Sequence, residues 1–69
     1  MSPQVSEYVV TGMTCEHCVA SVIEEVREVA GVTDVRVDLA DGSLTVTSDR
    51  PLPRGDVAAA VGEAGYRLS

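Results

Sequence analysis

Two runs of alternating apolar and polar residues meet at Asp41-Gly42, and that junction limits the folds open to the chain more than any other feature. Val35, Val37 and Leu39 alternate with Asp34, Arg36 and Asp38; beyond the junction, Leu44 and Val46 alternate with Ser43, Thr45 and Thr47. Successive side chains on a strand point to opposite faces, so each run carries one apolar and one polar face. Asp-Gly readily takes the positive φ angles of a tight hairpin. The pattern predicts an antiparallel pair buried on one side only.

A sheet with one apolar face needs a cover, and two segments can supply it. From Cys18 onward, Val19, Val22, Ile23, Val26 and Val29 recur at helical spacing, leaving Glu24, Glu25, Arg27 and Glu28 on the other face. Gly31 follows, as a glycine often follows a helix C-terminus. Pro51 and Pro53 exclude regular structure across Arg50–Arg54, after which Val57, Ala60, Val61 and Ala64 mark a shorter amphipathic helix ended by Gly65. Val5–Thr11 is a β-rich run broken by Gly12, Met13–Glu16 reads as a loop, and Tyr66–Ser69 reads as a last edge strand. The order is strand, helix, strand, strand, helix, strand. We therefore expect an α+β chain: a ferredoxin-like βαββαβ open sandwich, one four-stranded antiparallel sheet with two helices on one face, and residues 1–69 as a single domain.

At 69 residues there is no room for a second core or a large enclosed cleft. The formal charge of −6, with five scattered arginines and eleven acidic residues, opposes binding to phosphate backbones and anionic lipid and suits docking to a basic protein surface. An RNA-binding module of the same topology needs stacking aromatics and a basic face. This chain has no Phe, no Trp and two Tyr, so nucleic acid is not an expected partner. Met1–Glu7 has no basic and apolar leader pattern, and no apolar run approaches the length of a membrane span; a soluble, cytoplasmic protein is expected.

The chemistry concentrates in Gly12-Met13-Thr14-Cys15-Glu16-His17-Cys18. Cys15 falls on the loop and Cys18 in the first helical turn, where unpaired amides favour thiolates. A disulfide across this spacing closes a tiny loop and constrains the unfolded chain little, so a structural staple is a poor reading. A thiol–disulfide redox protein also places CxxC after a strand, but the thioredoxin type carries a tryptophan and a proline beside the pair, and neither is present here. Two soft donors satisfy copper(I) or mercury(II), whereas zinc ordinarily takes four ligands; copper(I) is the preferred reading. His17, Met13 and Glu16 are the only other donors nearby. His17 is set to face solvent and to serve as a third ligand in a shared or transferring state; Met13 is set to pack.

The GMTCEHC segment after a strand, with Gly65-Tyr66 near the C-terminus, resembles the heavy-metal-associated domain over nearly the whole chain. It is most similar to small bacterial copper chaperones and to N-terminal domains of copper-transporting P-type ATPases. The resemblance implies Cys15 and Cys18 as ligands of one Cu(I), with Met13 packed under the loop and Tyr66 close to the metal. Related zinc and cadmium domains commonly carry an acidic residue beside the cysteines; here Thr14 precedes Cys15, which favours copper. The implied partner is the metal-binding domain of a copper-transporting P-type ATPase, the apo protein is expected to be a monomer, and a copper-bridged homodimer is open to it. The initiating Met1 and the finish after the last strand are expected of a free-standing chaperone rather than an excised ATPase domain.

Overall fold

The computed structural model describes residues 3–69; Met1 and Ser2 lie outside the described residues. Along the chain come β1 (Gln4–Thr11), α1 (Glu16–Arg27), β2 (Val32–Asp38), β3 (Ser43–Ser48), α2 (Arg54–Glu63) and β4 (Arg67–Leu68). The strands form one sheet in the order β2-β3-β1-β4, each neighbouring pair antiparallel. This is the ferredoxin-like βαββαβ arrangement that the alternation predicts.

Strand register decides which residues are buried. Val35 stands opposite Val46 and Val37 opposite Leu44, so the apolar residues of both runs share a face. Val10 of β1 joins them, and α1 covers that face with Val22 and Val26, α2 with Val57, Ala60 and Val61. Six of these side chains are wholly enclosed: Val22, Val26, Leu44, Val46, Val57 and Val61. The other face of the sheet stays open, and β1 turns Val5 (62% exposed) and Val9 (48%) toward it.

Several expected boundaries move, each for a local reason. Asp41-Gly42 is not a two-residue hairpin turn: the last β2–β3 pair is Asp38 with Ser43, and Leu39 to Gly42 form a four-residue loop. Asp38 Oδ1 accepts from the Ala40 N–H and Asp41 Oδ1 from the Ser43 N–H, both at 2.9 Å. Those side-chain bonds compete with the ladder and release Leu39, 37% exposed, from the strand. Gly42 (φ +73°) is required, because a Cβ there would lie 2.9 Å from the Val10 carbonyl oxygen, and its own carbonyl accepts the Val10 N–H at 2.8 Å.

The helices also differ from their apolar pattern. α1 begins at Glu16, the last residue of the expected Met13–Glu16 loop, with Cys18 in its first turn as expected and Cys15 as an extended N-cap (φ −158°, ψ 171°), because a first turn needs backbone geometry and no apolar side chain. It ends at Arg27, capped by Glu28. Val29 lies beyond it, and Gly31 (φ +93°) serves a turn in which the Val32 N–H reaches the Val29 carbonyl at 3.2 Å. α2 begins at Arg54, directly after Pro53, whose missing N–H is no loss at the N-cap position. Its polar first turn hides it from apolar periodicity. β4 is only Arg67–Leu68, narrower than Tyr66–Ser69.

The burial difference sets the outcome of two leucine truncations. Leu44→Ala should cost about 2–4 kcal/mol of unfolding free energy, since it empties an enclosed site. Leu39→Ala, in the exposed loop, should cost under about 1 kcal/mol. Urea unfolding followed by circular dichroism measures both.

Candidate metal centre

The sheet brings two helix ends to one edge of the molecule. Cys15 caps α1 and Cys18 is the third residue of that helix, so one helical turn separates the two sulfurs and folds them toward each other. Their Sγ atoms lie 3.4 Å apart. This is well beyond the disulfide length of about 2.05 Å, and both are free thiols, Cys15 exposed and Cys18 half-buried. The Cys18 N–H and the Val19 N–H both bond the Cys15 carbonyl, at 3.1 and 3.3 Å. No side chain caps the helix. Its first-turn amides therefore leave positive potential beside the sulfurs.

Tyr66 arrives from the opposite side through the end of α2. Gly65, in the left-handed region (φ +93°), donates its N–H to the Gly62 carbonyl at 2.9 Å, and the Tyr66 N–H reaches back to the Val61 carbonyl at 3.0 Å. That pair of bonds is a Schellman cap, with the residue after the glycine folded back against the helix. Its ring packs on the core and lies beside Gly12, where a Cβ would meet Tyr66 Cδ1 at 3.5 Å. Its hydroxyl comes close enough to Cys18 to favour the ionised sulfur.

These contacts make Cys18 a thiolate near neutrality. Its pKa falls from an ordinary 9.0 to about 6, chiefly through the Thr14 backbone, then the Tyr66 hydroxyl and the Cys15 thiol, against a smaller opposing effect of desolvation. Donors to a charged sulfur favour the charged form. Tyr66 is pushed the other way, first because its proton is held by Cys18 and then by desolvation. No arginine contributes: the thiolate is stabilised by hydrogen bonds alone.

Met13 is half-buried and packs against the core. His17 is exposed, and among the described residues no group of three or more His, Cys, Asp or Glu is placed to hold one ion. The structure thus brings Cys15, Cys18 and Tyr66 together and leaves His17 outside that cluster. Sequence reasoning missed the Thr14 backbone, because an amide common to every residue leaves no mark in residue type, and it read Gly12 only as a strand breaker.

Comparison with known proteins agrees with this geometry. The heavy-metal-associated domain model matches residues 7–67, and the chain belongs to that family. The chain is 40% identical over 61 residues to the copper chaperone CopZ of Bacillus subtilis, covering 87% of this chain and 88% of that protein. It is 40% identical over 75 residues to the zinc/cadmium/lead-transporting P-type ATPase of Shigella sonnei, where it covers 97% of this chain but spans only 10% of the ATPase. A solved CopZ metallochaperone superimposes with a TM-score of 0.88 at 27% identity, covering 96% of this chain and all of the other. Among the described residues no helix is long and apolar enough to cross a membrane.

Tyr66→Phe removes one of the donors to Cys18, so the Cys18 pKa should rise above about 6. Thiolate absorbance and iodoacetamide alkylation, followed from pH 5 to 9, should shift to higher pH in the variant. The sign for stability follows. With a folded pKa near 6 below an ordinary 9.0, the stabilisation from this group is complete above 9 and is lost as pH falls toward 6.

Proposed function

We propose that the chain carries one copper(I) ion between the Cys15 and Cys18 thiolates and delivers it by thiolate exchange to the metal-binding domain of a copper-transporting P-type ATPase. The observation that carries this reading is a surface pair of free sulfurs 3.4 Å apart, with no His, Asp or Glu among the described residues clustered on them as a third donor. Two soft donors suit copper(I), which accepts low coordination numbers, and leave zinc short of its usual four ligands. If metal–sulfur bonds are about 2.3 Å, a linear S–metal–S unit spans about 4.6 Å. The pair would have to open by about 1 Å from its present 3.4 Å, and Cys15 is the more exposed of the two.

Binding releases the proton that Cys15 shares with Cys18, and the two thiolates hold the monovalent cation. A partner thiolate then adds to the ion from the open side. A three-sulfur intermediate forms, and one of the chain's own sulfurs leaves and regains a proton from solvent. Cys15, the more exposed of the two, is the first to leave. His17, at the rim, serves as a transient third donor during exchange. Nothing is chemically altered in the cargo beyond its ligands, so the chain acts as a carrier and not as an enzyme. The reading places it in the cytoplasm, where reducing conditions keep such a dithiol available.

Similarity to a zinc/cadmium/lead transporter supports a second reading, in which the same fold is one domain of a larger ATPase and takes a divalent ion. That reading requires a further donor from outside this cluster. An anaerobic titration against a copper(I)-specific chelator, run beside one with zinc, separates the two. The proposal expects one copper(I) per chain, retained in competition, with zinc held far more weakly. Cys15→Ser and Cys18→Ser should each abolish copper retention, while His17→Ala should leave affinity unchanged and slow transfer to a dithiol acceptor. Copper retention by either serine variant, or preference for zinc, would overturn it.

A further inference from the structure

Away from the dithiol, the C-terminal end of α1 with the turn after it and α2 leave a groove of about 310 Å³, lined by Val29, Ala30, Ala59 and Ala60 and by Glu25, Glu28, Asp56 and Glu63. We propose that this groove seats a cationic amphipathic helix of a partner protein. The floor is apolar and made mainly of alanines, so it offers a shallow trough without large side chains in the way. The lining carries four carboxylates, from α1, its C-cap and α2, and no cation. Both ion pairs of the described residues lie elsewhere, Arg36 with Asp34 and Arg50 with Asp49. Glu25 is itself half-buried against the trough. Four like charges around apolar surface repel one another until an opposite charge enters, and lysines or arginines beside an apolar stripe provide charge and area together.

A second copy of this chain is a poor occupant, because each copy carries a net charge of −6. Nucleic acid and anionic lipid are repelled by the same carboxylates. Position adds to the argument. Glu25 is seven residues beyond Cys18, about 10 Å along α1, so the α1 side of the groove lies clear of the sulfurs. If the copper reading holds, the groove fixes the partner while the dithiol remains free to exchange; the docking itself does not depend on copper.

The test therefore uses the metal-free protein. The probe is a synthetic amphipathic helical peptide with lysines flanking an alanine and leucine stripe, and a matched peptide with glutamates in place of the lysines is the control. Amide shifts should concentrate at Glu25, Val29, Ala59 and Glu63 with the lysine peptide alone. Glu25→Gln/Glu28→Gln/Glu63→Gln should weaken binding about tenfold, as expected for three solvent-screened pairs. Glu7→Gln/Asp34→Asn/Asp38→Asn changes the net charge equally on the open sheet face and should leave affinity within about twofold. The folded state of each variant is checked by its amide spectrum. Equal weakening by both triples would mean diffuse attraction and overturn the proposal, as would shifts centred outside the groove. Concentration-dependent shifts of the same amides without peptide would assign the groove to a second copy and overturn it too.

Discussion

The packing of two helices over one face of a four-stranded sheet sets everything else in this molecule. Val22 and Val26 of α1 share one core with Val57, Ala60 and Val61 of α2 and with Val10, Val35, Leu44 and Val46 of the sheet. In a βαββαβ chain both helices return over the same face, and the start of α1 and the end of α2 reach the same edge. The loop before α1 carries the cysteines; the cap of α2 carries Tyr66. The core brings Cys18 and Tyr66, 48 positions apart in sequence, close enough for the tyrosine hydroxyl to favour the ionised sulfur. With only a few wholly enclosed side chains to spend, this chain has little surplus stability, and its backbone turns take up the remaining task of fixing the site.

The means by which Cys18 is charged suits a carrier of cations. A thiolate can be stabilised by a neighbouring cation or by neutral donors. Here the largest contribution is the Thr14 backbone, followed by a tyrosine hydroxyl and the second thiol. An arginine beside the sulfur would lower its pKa equally well, but it would repel an incoming metal ion and would have to move or be paid for on binding. Neutral donors leave the negative charge unspent. They are also weak enough, individually, to be given up when the sulfur turns to a metal or to a partner's ligand. The same reasoning accounts for an exposed rather than enclosed pair: burying two thiolates would raise their pKa and close the route by which a third sulfur approaches.

Much of this was legible in the sequence, and the failures share one cause. The alternation about Asp41-Gly42 and the helical spacing of Val22, Val26, Val57 and Val61 report burial, so they located the core and, with element order, the topology. CxxC after a strand and glycine located the sulfurs. What apolar periodicity cannot report is where polar residues continue an element or interrupt one. α1 gained Glu16 and His17 at its start and α2 gained Arg54 to Asp56, since a helix's first turn is held by backbone and needs no apolar contact. Leu39 left β2 because two aspartates bond the loop backbone more favourably than the ladder would. Tyr66 was placed near the site by resemblance, while the Schellman bonds that hold it there depend on the φ angle of Gly65, which a sequence suggests but does not display.

Division of labour along α1 follows from its length. At about 1.5 Å per residue, twelve residues span about 18 Å, enough to separate a reactive N-terminal turn from a C-terminal half that faces α2. Positive potential at the first turn suits thiolates, while the residues beyond it carry carboxylates on the outer face, Glu24, Glu25 and Glu28. Apart from Glu16 in the first turn, the acidic residues of α1 and its cap lie about two turns from the sulfurs, near a Debye length of roughly 8–10 Å at moderate salt. The helix thus carries its two sulfurs at one end and most of its carboxylates further along.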